Sequence, residues 1–347
     1  MNDAPGGWHR SSHRKVLGIS LGTLLVTLFC CPLLSPDLLP LRVWWSSPLD
    51  VVNGDAFTFW QLRLPRALMA VLAGATLATA GAGFQALLRN PLATPYTLGV
   101  ASGASLGAVA SLLLGIPLMV PLGLGMTGAA VSGAAVSIFI VYWFGRRSAG
   151  GVGLPSTTLI LAGVTLNYFW GSMVLFLQCL ADPMQLYRMI RWTIGGLEDR
   201  GFMPILRVLP FSLLLIGVML RRAGELNLLA AGDEWAASRG VEVRSCRRAI
   251  FLAASLATGV LVAETGPIGF VGLIVPHGIR LVAGPDHRLL IPATALLGGA
   301  FLCICDTLAR SLSMGLPVGV LTALLGGPFF LILLSWRKHA SSAISAL

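Results

Sequence analysis

The side chains able to do chemistry in this chain of 347 residues are few, and their placement excludes more than it allows. Its two lysines, Lys15 and Lys338, lie near the termini, and neither sits in a glycine-rich loop. A G-x-x-x-x-G-K-[ST] cradle, in which backbone amides and a lysine hold nucleotide phosphates, therefore cannot be built. If ATP drives this protein, a separate chain must hydrolyse it. The histidines (His9, His13, His277, His287, His339) are scattered without the H-E-x-x-H spacing that sets two imidazoles on one helix face for zinc. The cysteines (Cys30, Cys31, Cys179, Cys246, Cys303, Cys305) show no metal-like C-x-x-C pairing and read as apolar packing residues. Neither a metal nor a cofactor is expected. Ion-coupled carriers bury carboxylates in mid-membrane as proton or sodium sites. Here Glu264 and Asp306 fall near the outer ends of apolar runs, and every other acid lies in a loop or tail.

These residues are set in long unbroken apolar blocks. Hydrophobic residues make up 56% of the chain and charged residues 11%, with a mean hydropathy of +0.83. Blocks of about twenty residues match a hydrocarbon core of ~30 Å at ~1.5 Å rise per residue. The spans predicted are 16–34, 64–83, 98–118, 120–144, 156–180, 203–220, 246–263, 268–283, 289–309 and 317–336. The fold class is thus an all-α polytopic membrane protein of about ten transmembrane helices. One membrane domain, 16–336, lies between a cytosolic tail at 1–15 and another at 337–347. The basic N-terminus precedes an apolar run without a small-x-small cleavage site, so the first span reads as an uncleaved anchor.

Arginine and lysine set the orientation. With both termini inside, the cytosolic side holds sixteen of them and the opposite side eight: Arg42, Arg63, Arg66, Arg188, Arg191, Arg200, Arg207 and Arg310. The net charge of +10 is then mainly a topology signal, and no nucleic-acid partner is expected.

One stretch breaks the apolar pattern, a polar island from Arg221 to Arg248 carrying ten charged residues. Leu226, Leu228 and Leu229 begin an apolar stripe. Gly232-Asp233-Glu234 then puts acids in a first helical turn, where the macrodipole favours them, and Gly240 stands where a C′ glycine ends a helix. Short helices at about 224–241 form either a solvated interfacial element or a face that inserts into a partner's groove. On the other side, 182–204 reads as a short amphipathic helix at the outer interface, with Met184, Leu186, Tyr187, Ile190 and Trp192.

Small residues recur every fourth position at Ala70, Gly74, Ala78 and Ala82, at Gly99, Gly103 and Gly107, and at Gly125, Ala129 and Gly133. In lipid this spacing lets helices approach closely. Breaks are expected at Asn90-Pro91, Thr94-Pro95, Leu154-Pro155, Gly266-Pro267, Val275-Pro276 and Leu316-Pro317. Arg63 and Arg66, at i, i+3 spacing, share an outer rim with Arg310. Two uses stand open: the arginines grip carboxylates of a partner bidentately, or they anchor at the interface with Asp306 pairing Arg310 internally.

The chain resembles the FecCD family, the permease subunits of type II ABC importers for iron-siderophore, haem and cobalamin. The matching stretches are L-R-L-P-R (62–66), R-N-P-L-A-T-P-Y-T-L-G-V-A-S-G-A (89–104), L-A-G-V (161–164) and L-N-L-L-A-A-G-D-E-W-A-A-S-R-G-V (226–241), followed by G-P-I-G-F-V-G-L-I-V-P-H (266–277), D-T-L-A-R (306–310) and L-P-V-G-V-L-T-A-L-L-G-G-P-F-F (316–330). Glu264 and Gly278 stand where the family pattern leads one to expect small or aliphatic residues. The resemblance implies a multi-pass subunit of the cytoplasmic (inner) membrane that pairs with a second copy or a paralogue. It further implies two ATP-hydrolysing subunits inside and a periplasmic or lipid-anchored substrate-binding protein outside, with a ferric siderophore as cargo and haem or cobalamin as alternatives. Gly232, Asp233, Glu234, Ala236, Arg239 and Gly240 would belong to the helices that meet the ATPases. Asn90, Leu92, Ser156 and Thr157 would lie near the cytoplasmic constriction, and Arg63, Arg66 and Arg310 would receive the binding protein. From the residues alone the competing reading is an ion-coupled secondary carrier, with a membrane enzyme a third.

Overall fold

The computed structural model describes residues 6–34, 37–48, 54–115, 124–147, 156–198, 201–312 and 315–344, and no strand occurs among them. The helices are α1 (Gly6–Leu34), α2 (Gly54–Leu88), α3 (Val100–Leu113), α4 (Leu124–Arg147), α5 (Ser156–Cys179), α6 (Pro183–Ile194), α7 (Met203–Arg221), α8 (Ala223–Ala231), α9 (Asp233–Ser238), α10 (Val243–Thr265), α11 (Val271–Ala283), α12 (His287–Ser311) and α13 (Val318–Ile344). Seven are long and apolar enough to cross a membrane, and α3, α11 and the Val318–Leu331 part of α13 are shorter apolar helices. Each of the ten predicted spans has its helix. The ends drawn for the third and fourth spans, and the Leu154-Pro155 joint, lie outside the described residues.

Helix α2 is the hub. It packs against α12, α10, α11 and α7, while α3 pairs with α4 and α1 lies on α12. Its small-residue stripe is what admits so many neighbours: a Cβ on Gly74 would stand 2.0 Å from the Gly298 carbonyl oxygen, and one on Gly81 2.0 Å from that of Gly272. Likewise a Cβ on Gly107 would meet the Ala129 carbonyl at 2.0 Å. In lipid, where apolar surface gains nothing by leaving the solvent, this close van der Waals contact is the packing force. Large apolar side chains such as Ile19, Tyr168, Leu175 and Leu206 accordingly stay on the outside of the bundle.

Helices α3 and α11 measure only about 20 Å at ~1.5 Å per residue, too short for the core by themselves. Each is preceded by non-α backbone: a 3-10 turn at Pro95–Leu98 before α3, and residues 266–270 before α11. Such backbone survives at membrane depth only where protein satisfies it. Tyr96 does much of this, its hydroxyl accepting from the Ile268 amide at 2.8 Å and its carbonyl accepting from Asn167 Nδ2 at 2.8 Å. Thr94 and Thr97 close a capping box around the 3-10 turn.

Two sequence expectations change here. The break at Val275-Pro276 does not occur: Pro276 sits within α11, and the Gly272 carbonyl that its missing amide leaves free accepts from Gln85 Nε2 at 2.9 Å. Arg63 does not stand on the outer rim with Arg66: it is buried, and its Nη1 donates to the Asp37 and Pro32 carbonyls at 2.6 and 3.5 Å.

Candidate functional site

At the end of the bundle carrying the polar island, α8 and α9 form a bracket between α7 and α10. Gly232 separates them with φ 145° and ψ 153°, a conformation that costs side-chain-bearing residues heavily. The inner face of the bracket, Leu226, Leu229 and Ala236, is fully buried against the bundle. Glu234, Trp235 and Arg239 face outward, with the Arg239 guanidinium 4.8 Å from the Trp235 ring. Gly240, φ 82°, ends α9 as its position in the sequence predicts. Of the six residues singled out there, Ala236 thus faces the core, and Asp233 turns inward to pair with Arg89 and with Arg247 Nη2 at 2.9 Å. Burial disfavours the charged form of Asp286, yet the Arg288 amide and Asn227 hold its carboxyl below the ordinary range. Asn227 Nδ2 donates to it at 2.7 Å while Asn227 Oδ1 accepts from the His287 amide at 2.8 Å, fastening α8 to the start of α12.

The loop after α2 lies beside this bracket. Asn90 Oδ1 accepts from the Leu92 amide at 2.9 Å, making a tight turn that leaves Leu92 48% exposed. Ser156 and Thr157 open α5, and Thr157 is exposed.

At the opposite end, Asp306 is 1% exposed and draws two arginines together. Arg66 Nε and Nη2 bind its two oxygens at 2.9 to 3.2 Å, and Arg310 Nε binds Oδ2 at 3.1 Å. The internal Asp306–Arg310 pairing therefore exists, and it includes Arg66. Glu264 makes a second buried pair, with Arg207 Nη1 at 3.0 Å. Between these pairs and α6 opens a cavity of about 770 Å³ whose wall includes Arg66, Arg191, Arg310, Glu264, Tyr187 and Trp192. Helix α6 is set by the Asp182–Gln185 capping box, with Met189 and Trp192 inward and Tyr187 outward.

Sequence reasoning did not single out Arg89, Arg247, Arg207 or Asn227. A usable signal was present: where so few charges occur, each one beside an apolar span must find a partner.

A bundle of ten apolar helices, with a charged bracket at one end and a polar cavity at the other, defines a multi-pass membrane permease. The chain belongs to the FecCD transport family, whose model matches residues 23–336. It is 41% identical, over 80% of its length and 73% of the relative's, to the cobalamin import system permease protein BtuC of Halobacterium salinarum. It is 38% identical, over 93% of its length and 97% of the relative's, to the hemin transport system permease protein HmuU of Yersinia pestis. Its fold matches that of a metal-chelate type ABC transporter solved in an inward-facing conformation, with a TM-score of 0.80 and 30% identity over 93% of this chain and 99% of the other.

Proposed function

We propose that this chain is the membrane subunit of an ATP-driven importer that carries a ferric siderophore across the cytoplasmic membrane. Two copies of a separate ATPase would energise it, a second permease copy or a paralogue would complete the pathway, and an external binding protein would deliver the cargo. The observation that carries this reading is the bracket of α8 and α9, whose inner face is buried and whose outer face presents Glu234, Trp235 and Arg239. With its apolar face buried in its own bundle, the bracket offers a partner a charged and aromatic face, and tryptophan and arginine are among the side chains in which protein interfaces concentrate their binding energy. Gly232 and Gly240 shape the bracket, Asp233 and Ala236 hold it to the bundle, and the three exposed side chains make the contact. Asn90 and Leu92 after α2, with Ser156 and Thr157 at the start of α5, border the inner constriction. Arg66 and Arg310 face the binding protein, and Arg63 braces the loop behind them.

The cargo reading rests on the match to a metal-chelate transporter, because the wall of the outer cavity mixes Arg66, Arg191 and Arg310 with Glu198 and Glu264, and Arg66 and Arg310 are already bound to Asp306. Relatives that handle cobalamin and hemin keep those cargoes as the second reading. The test has two arms. Glu234→Lys with Trp235→Ala should abolish capture of its ATPase subunit, with normal membrane insertion; unchanged capture would overturn the assignment of the bracket. The cognate binding protein is then titrated with a ferric trihydroxamate, haemin and cyanocobalamin, and tight binding of either of the last two would replace the siderophore.

A further inference from the structure

Arg89 occupies a position where a helix would ordinarily end in glycine. It closes α2 with φ 47° and ψ 37°, in the left-handed region that disfavours a side chain. If the turn were all that mattered here, glycine would serve better, so the guanidinium has a use. Its Nε donates to the Leu229 carbonyl at 3.2 Å, in the last turn of α8. Its Nη2 binds the Asp233 carboxylate, in the first turn of α9. One side chain thus straddles the Gly232 joint between the two bracket helices. The same Asp233 oxygen accepts from Arg247 of α10, whose side chain is buried, so the far end of the tie is itself anchored.

The backbone end of Arg89 leads directly into the loop. Asn90, the next residue, donates its amide to the Gln85 carbonyl at 3.2 Å, and its own carbonyl accepts from the Ala93 amide at 3.0 Å. With the Asn90 side chain on the Leu92 amide, residues 90–93 form one hydrogen-bonded unit hinged on Arg89. A displacement of α9 relative to α2 therefore pulls on that unit through the Arg89 side chain, a hydrogen-bonded link between Asp233 and the end of α2.

We infer that Arg89 is a positioning residue that transmits movement of the α8–α9 bracket to the loop at Asn90–Leu92. This rests on the reading of the bracket as the ATPase-facing element. Both Arg89 and Asp233 are partly exposed, so their pairing adds little to stability and its loss leaves the fold intact. A transmission pathway is established only by a response at both of its ends.

The test uses the complete chain assembled with its ATPase subunit in lipid nanodiscs. Leu92→Cys, in a Cys179→Ser background, is labelled with a maleimide without nucleotide and with ATP plus vanadate. In the parent chain nucleotide should change the labelling rate. Arg89→Gly suits the left-handed backbone and removes only the guanidinium, so the variant should capture the ATPase and hydrolyse ATP as the parent does, while the nucleotide-dependent fold-change at Leu92→Cys falls to one. Arg89→Lys, which keeps the charge and reaches one of the two partners, should restore part of that change. A parent-like nucleotide response in Arg89→Gly, or none in the parent chain, would overturn the tie while leaving the ATPase assignment standing. Failure of the parent chain to capture the ATPase would overturn both.

Discussion

Asp306→Asn is the sharpest perturbation available in this molecule. The carboxylate is almost wholly buried and accepts from three guanidinium nitrogens, two of Arg66 and one of Arg310, at 2.9 to 3.2 Å. The arginine side chains keep only 14% and 12% of their surface exposed, so water cannot replace what the carboxylate supplies. Asparagine is the same size, but it removes the charge and turns one acceptor into a donor facing two cations. Cutting one side of a buried ion pair costs ~3–5 kcal/mol. The site lies at the rim of a cavity, so the lower end applies, roughly 3 kcal/mol, or a factor of about a hundred in the folded-to-unfolded ratio. The assay is thermal unfolding of the detergent-solubilised chain followed by tryptophan fluorescence, where Asp306→Asn should melt several degrees below the parent. Replacing the whole group, as Arg66→Met with Asp306→Leu and Arg310→Met, should recover most of that loss, because an apolar cluster of similar volume has no desolvation penalty to overcome. A melting temperature for Asp306→Asn equal to the parent's would refute the reasoning, since it would mean the two guanidiniums are solvated without their carboxylate.

Four further outcomes are expected. The purified chain alone should show no vanadate-sensitive ATP turnover, since it has no phosphate-cradling lysine, and measurable turnover would contradict the sequence argument. Gly74→Ala should destabilise by ~1–3 kcal/mol through overpacking against Gly298, whereas Gly171→Ala, with open space around it, should be neutral or slightly stabilising; the comparison is read from melting temperatures in one detergent. Arg310→Gln should weaken docking of the binding protein more at low than at high salt, with affinity measured on nanodiscs, and an affinity that neither the substitution nor salt alters would remove Arg310 from the docking surface. Asp286, held below the ordinary carboxylate range, contributes stability that is complete at neutral pH and disappears as the pH falls through its lowered pKa; Asp286→Asn should flatten that acid limb of the melting-temperature profile.

Much of this protein was legible in its residues because the governing rules are local. An apolar block of some twenty residues must become a helix in lipid, so all ten spans could be counted without coordinates. The helix expected within 182–204 forms as α6, but it stops at Ile194, where Gly195 takes φ 75°, and its inward side chains are Met189 and Trp192 while Met184, Tyr187 and Ile190 stay exposed. Gly232 and Gly240 mark the ends of α9 through the backbone geometry they permit. The ion pairs are another matter. Arg66 and Asp306 are 240 residues apart, and spacing alone offers Asp306 only its neighbour Arg310. Arg63 and Arg66 lie on adjacent headings of α2, but α1 occupies one heading and α12 the other, so one guanidinium closes on carbonyls at and just beyond the end of α1 and the other on a carboxylate. Asp233 similarly turns to Arg89 and Arg247, and only the packing of α8 against α2 and of α9 against α10 decides that. Apolar helices report through their own composition that they will span the membrane. Which of the few charges meet depends on how those helices pack, because a charge beside lipid takes whichever partner the assembled bundle brings within reach.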